Sequence, residues 1–265
     1  MEEIEQNSVI VRTSLGNVYS GKKVFNSIPD NSLINLKSNI LRQVFVGWKI
    51  KTKNSCFEPD TAVMMDFVNP EEDKTDFFYI LPFSENEALV EYTAFTTQPI
   101  EFDSMECEIS HFIQEKLGQD IYEITFREQG SIPMTTFQFA SQQNKNIINL
   151  GSIAGCGKPS TGYTFHTIQK HCQTIVNDLE SKLMKDNPSW QRNFRFGFYD
   201  NIILNIAKKW PKALPKVFFN LFEKNSGDDV LRFLNEETSL KEEIKLLSRL
   251  KFPIFIKSLI HYEQH

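Results

Sequence analysis

Two stretches of this chain set out residue types at spacings that chemistry can use. The first, Gly151 to Tyr163, reads GSIAGCGKPSTGY: four glycines leave the backbone bare, and Ser160 and Thr161 are residue types that cap helix N-termini. The unpaired N–H groups of a first helical turn suit an anionic or carbonyl-rich ligand, so a nucleotide-like cofactor is the natural guest. A P-loop does not fit the spacing, because Ser152 stands where its first glycine belongs and Pro159 replaces the magnesium-binding hydroxyl. The competing reading is a tight strand-to-helix turn whose glycines serve backbone geometry alone.

The second stretch is LVEYTAF, Leu89 to Phe95. Side chains alternate along a strand, so Leu89, Glu91 and Thr93 share one face while Val90, Tyr92 and Ala94 share the other. Glu91 either meets solvent or faces an apolar pocket, where desolvation raises its pKa and makes it a proton donor. Asp66, in VMMDFV, invites the same two readings. No metal set emerges: His166 and His171 are five apart and off one helical face, and His261 and His265 lie near the end of the sequence. Cys56, Cys107, Cys156 and Cys172 form no CxxC pair and read as free thiols in a reducing cytoplasm.

The elements that must position these residues follow from local pattern. Ser8 to Asp30 reads as a hairpin about Leu15, Gly16 and Asn17. Leu41–Ile50, Ala62–Val68, Asp76–Pro82 and Ala88–Phe95 are strand-length runs rich in aromatic and β-branched residues, and their spacing predicts an antiparallel meander with one face buried. Ile109, Phe112, Ile113 and Leu117 keep helical spacing before Gly118, and the chain from Asp120 to Met134 returns to extended structure. IINL predicts a buried strand before the glycine turn. Ile168, Cys172, Ile175, Val176, Leu179 and Leu183 predict a helix after it, ending near Asp186 to Pro188. Beyond Trp190, helix-period segments at 199–209, 216–222, 230–234 and 240–250 read as a helical cap. The acids of FLNEET, Phe233 to Thr238, read as charges of a helix first turn.

A net charge of -5 excludes a general nucleic-acid binder, and no apolar run of membrane-spanning length occurs. The acidic start MEEIEQNS is no signal peptide. Charge is uneven, however. From Gln191 to Lys224 seven cationic residues face only Asp200 and Glu223 amid Phe, Trp, Ile and Leu, a mixture that suits an anionic membrane surface or a solvated helix face. The 23 phenylalanines fit either a Phe-rich core or an aromatic-lined tunnel for a long apolar substrate.

In order and content these segments resemble the flavin-dependent lycopene cyclases of carotenoid biosynthesis. QVFVGWKI (Gln43 to Ile50), MMDF (Met64 to Phe67), FFYILP, LVEYT, IPM (Ile132 to Met134), PSTGY, VLRFLNEETS (Val230 to Ser239) and KFPIF (Lys251 to Phe255) carry the likeness. The resemblance implies an α+β fold: a partial FAD-binding domain, Rossmann-like and of glutathione-reductase type, an antiparallel substrate-binding sheet and a C-terminal helical region. Residues 1–30 and 146–187 would belong to the flavin domain, 31–145 to the substrate domain and 188–265 to the cap. It implies an isomerase that closes the ψ-ends of lycopene into β-rings, giving γ- and β-carotene without net oxidation. Glu91 would be the proton donor. Gly151, Ala154, Gly155, Pro159, Ser160, Thr161, Gly162 and Tyr163 would contact reduced FAD, which is not consumed. Tyr92 stands where relatives often carry a second acid. No GxGxxG occurs in this sequence, although the family's βαβ unit carries it ahead of the hairpin. The expectation is therefore an amino-terminally truncated chain with a separate N-terminal polypeptide as partner. The other expected partners are an acyclic carotenoid such as lycopene and, peripherally, the cytoplasmic face of a membrane, with no nucleic acid and no metal. Two alternatives remain: a non-catalytic carotenoid- or lipid-binding module, and a flavin monooxygenase or reductase on the same fold.

Overall fold

Runs of aromatic and β-branched residues in the first half of the chain give way to helix-period segments in the second, and the structure follows that division. The computed structural model describes residues 2–5, 8–28, 40–68, 73–137, 146–181, 190 and 192–265. Among them the strands are β1 (Glu2–Glu5), β2 (Ser8–Arg12), β3 (Val18–Gly21), β4 (Val24–Asn26), β5 (Arg42–Thr52), β6 (Val63–Phe67), β7 (Lys74–Ser84), β8 (Glu87–Thr96), β9 (Tyr122–Pro133) and β10 (Ile147–Asn149). The helices are α1 (Phe102–Glu115), α2 (Phe165–Glu180), α3 (Phe194–Lys209), α4 (Leu214–Lys224), α5 (Gly227–Leu234), α6 (Leu240–Leu247) and α7 (Pro253–Ile260). Two compact units result, Met1–Leu36 with Thr136–Gly197 and Lys37–Thr135 with Phe198–His265.

The second unit is built on an antiparallel sheet of order β6-β7-β8-β5-β9. The four strand runs read from sequence are all present, but the meander expected of them holds only for β6, β7 and β8. β5 does not lie beside β6; it inserts between β8 and β9. Burial explains the placement, because β5 is covered along nearly its whole length and belongs in the middle of a sheet. One face carries Val46, Trp48, Ile50, Phe78, Ile80, Val90 and Tyr92, which pack with Met105, Ile109, Phe112 and Ile113 of α1 into the hydrophobic core. Phe78 stacks on Phe112 with ring centroids 4.0 Å apart. At the edge, Met65 takes a left-handed φ of 60° where the β6–β7 register slips, a bulge that leaves Asp66 exposed. Asp66 is thereby a surface carboxylate.

The cap is helical where the periodicity placed it. α3 is buried on several sides, and its Asn205 Nδ2 donates to the carbonyls of Ser258 and His261, tying down the end of α7. Ser239 and Glu242 form a reciprocal capping box that starts α6. The FLNEET acids are not first-turn charges: Glu236 takes a φ of 61° in the link ahead of Ser239, and Glu242 and Glu243 occupy the first turn instead. Glu243 is buried and accepts from the hydroxyls of Tyr199 and Thr238.

In the first unit β2 and β3 form the expected hairpin, with Gly16 supplying a φ of 82° in its turn. β4 pairs in parallel with β10, the strand read from IINL. α2 begins at Phe165 with Thr164 as N-cap, so Ser160 and Thr161 do not cap it. They lie in a separate turn closed by Gly162 N donating to Lys158 O, 2.8 Å, which the left-handed glycine allows. The expected helix end at 186–188, Leu183 and the hairpin's Asp30 lie outside the described residues.

Candidate active site

Glu91 stands in mid-β8 on the sheet face opposite α1. Its backbone partners are Gly47 of β5 and Tyr79 of β7. Around it on this face are Phe45, Phe77, Tyr79, Thr93 and Phe95, and Phe77 meets Tyr79 and Phe95 edge to face, each with centroids 5.2 Å apart. Phe67 stacks on Phe218 of α4, and Thr75 donates to the carbonyl of Pro211, so helical structure closes one end of the face. Glu91 Oε1 accepts from the Thr93 hydroxyl at 2.7 Å. Burial raises the Glu91 pKa to about 7; the Thr93 hydrogen bond opposes the rise, and the charge of Glu128 adds to it.

Glu128 is a residue the sequence reading missed. It lies on β9, whose register sets it opposite Gly47, so Glu91 and Glu128 flank one glycine from two sides. Two strand spacings separate their backbones by roughly 9.5 Å. The Glu128 side chain leans over the glycine, since a Cβ on Gly47 would stand 2.9 Å from both its Cγ and its Oε1. Gly130 admits the Phe45 ring in the same way, at 2.6 Å from Cζ. The available signal was Gly47 itself, because a glycine inside a strand marks a close approach. Of the other charged groups on this face, Lys49 is paired with Glu87 at 2.8 Å.

Tyr92 points the other way. Its hydroxyl donates to Asp76 Oδ2 and accepts from Lys74 Nζ at 3.1 Å, while Lys74 and Asp76 pair at 2.8 Å. Burial would lower the Lys74 pKa, but the bonds and charge of Asp76 and Tyr92 outweigh it and leave the value raised. A second acid at position 92 would thus sit on the core face and not beside Glu91.

The glycine-rich loop belongs to the first unit. A 3-10 turn at Gly151–Ala154 follows β10 and ends at Gly155, whose φ is 77°. Ala154, Pro159, Ser160, Thr161 and Gly162 are buried, whereas Gly151, Gly155 and Tyr163 are half-buried. Much of the expected N–H array is turned inward: Gly155 donates to Ser152, Cys156 to Gly151, and Lys158 to Tyr163. What the loop offers a ligand is space, because a Cβ at Gly155 would meet no atom within 4 Å. His171, set aside on spacing, is buried with Nδ1 3.5 Å from Cys156 Sγ, and burial pushes that thiol up to about 11. Among the described residues no cluster of His, Cys, Asp and Glu could hold a metal ion.

Over residues 1–260 the sequence matches the family described as lycopene cyclase protein, and the chain belongs to that family. No curated protein matches it. Among solved structures it is similar to a geranylgeranyl bacteriochlorophyll reductase-like protein from Thermoplasma acidophilum, 14% identical, covering 95% of this chain and 68% of that one with a TM-score of 0.52. That likeness is one of fold. Looser likenesses, which carry no argument, are to the tetracycline destructase Tet(51), 11% identical over 99% of this chain and 67% of that one with a TM-score of 0.31, and to PyrE3, the Diels-Alderase of pyrroindomycin biosynthesis, 12% identical over 94% and 54% with a TM-score of 0.35.

Proposed function

We propose that this chain catalyses carotenoid cyclisation by proton transfer, with Glu91 as the acid and an acyclic carotenoid such as lycopene as substrate. The observation that carries the reading is a carboxyl group held near a pKa of 7 within an aromatic wall, so that a substantial share of it keeps its proton at neutrality. Glu91 gives that proton to a terminal double bond, whose π electrons form the new C–H bond. A second double bond attacks the resulting cation and closes the ring. The Glu91 carboxylate left by the first step takes up a ring proton, which restores a double bond and the protonated acid, so the product is an isomer and no electrons are gained or lost. Glu128 presents negative charge across Gly47, and the half-buried Tyr79 beside Glu91 adds an aromatic ring, both of which would lower the energy of a cation.

Gly151, Ala154, Gly155, Pro159, Ser160, Thr161, Gly162 and Tyr163 would hold the ring end of FAD, with the opening at Gly155 as the observation in favour. Reduced flavin held by these residues would supply electron density and would not be consumed. In this reading residues 1–30 and 146–187 serve the flavin, 31–145 the carotenoid, and 188–265 cover the substrate sheet.

The test is Glu91→Gln, assayed with the full chain, reduced FAD and lycopene in vesicles, with γ- and β-carotene separated by chromatography. Removing a general acid should cut turnover by about 100-fold or more, with the circular dichroism spectrum unchanged. A variant that cyclises at the wild-type rate would end the assignment of Glu91, and lycopene persisting with the wild-type chain would end the cyclase reading.

A further inference from the structure

The second unit has a cleft that the proposed chemistry does not use. It lies between the Pro211–Ala213 turn with α4 and the start of α7, and has a volume of about 250 Å³. Val217, Leu250, Ile254 and Phe255 line it, and Lys212, Lys216 and Lys251 bring cations to the same lining. All three lysines are exposed, and Lys216 and Lys251 make no hydrogen bond or ion pair with any described residue.

Beside the cleft, α7 leaves an apolar stripe uncovered. Ser258 is fully buried and donates to the carbonyl of Ile202, which fixes the inward side of the helix. At 100° per residue Phe252, Ile256 and Ile260 then fall on the outward side, and they are 50%, 52% and 74% exposed. Phe219 of α4 is exposed as well. From Ser248 to Tyr262 the sequence has no acidic residue but carries Arg249, Lys251 and Lys257. A chain of net charge -5 has therefore gathered cations around its uncovered apolar helix, and that pairing fits an anionic lipid surface.

We propose that the lysine-lined cleft and the outward side of α7 form a docking surface for a bilayer containing anionic phospholipid. Headgroup phosphates meet Lys216 and Lys251, while Phe252, Ile256 and Ile260 enter the interface. α7 lies in the plane of the membrane, because eight residues rise only about 12 Å against a hydrocarbon core of roughly 30 Å. Among the described residues no helix is long and apolar enough to cross. The docking needs no catalysis and stands independently of the cyclase reading.

Vesicle co-sedimentation of the full chain tests it, comparing pure phosphatidylcholine with a mixture of one part phosphatidylglycerol to two parts phosphatidylcholine. The wild-type chain should partition onto the mixed vesicles about tenfold or more better than onto neutral ones, and less as salt is raised. Lys216→Glu with Lys251→Glu should lose about tenfold of that partition, and so should Ile256→Asp with Ile260→Asp. All these side chains are exposed, so circular dichroism should show both variants folded. Equal partition onto the two vesicle types, or none onto either, overturns the proposal. So does a soluble dimer, found by light scattering, that the aspartate variant dissolves while vesicle binding is absent; the occupant of the surface would then be a second copy.

Discussion

A carboxyl group that donates a proton near neutrality needs its charged form penalised without being walled off from its substrate. At Glu91 burial supplies most of the penalty, Glu128 adds to it by like charge, and the Thr93 hydroxyl partly offsets both. Cyclisation by a protonated Glu91 should therefore fall as pH rises through about 7. Glu128→Gln removes a negative neighbour, which makes the ionised form of Glu91 easier to reach, so the falling limb should move to lower pH. Lys49 stays paired with Glu87 in that variant and does not counter the shift. Rate–pH profiles of the two proteins check this. Coincident limbs would show that Glu128 exerts no charge on the acid, and a uniform loss of rate without a shift would assign it a structural role.

At the scale of elements, a glycine in the middle of a largely buried strand makes the carboxylate pair geometrically feasible. Gly47→Ala would put a methyl group 2.9 Å from Glu128 Cγ and 3.3 Å from Leu89 Cδ1. Glu128 is flexible and should swing away, so the stability change should stay within about 1 kcal/mol while the pH limb moves as it does in Glu128→Gln. Chemical denaturation together with a rate–pH profile reads both effects. Large destabilisation with an unmoved limb would mean that Gly47 serves packing alone. The strands themselves were legible because aromatic and β-branched runs are local signals. The place of β5 was not, since its partners β8 and β9 lie roughly forty and eighty residues further along and pairing depends on total burial.

For the whole molecule, stability against pH sums groups from both faces of the sheet. The Glu91 pKa is raised from 4.5 to about 7 on folding, so its contribution is fully present below about pH 4.5 and is lost as pH rises through 7. Glu91→Gln should remove that slope and leave the protein more stable than wild type at pH 8, by about 3 kcal/mol at most. Lys74 and Tyr92 also have raised values, so their contribution persists to about pH 10 and fades above it. Burial lowers the His265 pKa to about 4, which adds a rise below about pH 6.5 to both proteins. Denaturant midpoints between pH 4 and 11 should therefore show the variant gaining on the wild type as pH rises through 7 and both declining above about pH 10. A difference between the two proteins that stays constant through the neutral range would place the source of the raised value elsewhere.

The sequence by itself determined the secondary elements, the family, the turn at Gly16 and the candidacy of Glu91, because each is written in residue types a few positions apart. Alternation told which side chains share a face with Glu91 but not what covers that face. In β8 the set that holds Glu91 mixes Glu87 and Thr93 with Leu89 and Phe95, so alternation alone marks it neither as an outer face nor as a core face. Only the tertiary structure decided that Glu128 meets Glu91 across Gly47, that Tyr92 belongs to Asp76 and Lys74, and that Ser160 and Thr161 form a turn ahead of their helix. Those outcomes rest on strand order and on contacts between residues distant in the chain. Such contacts are fixed by the free energy of the whole packed unit, and no local spacing encodes them.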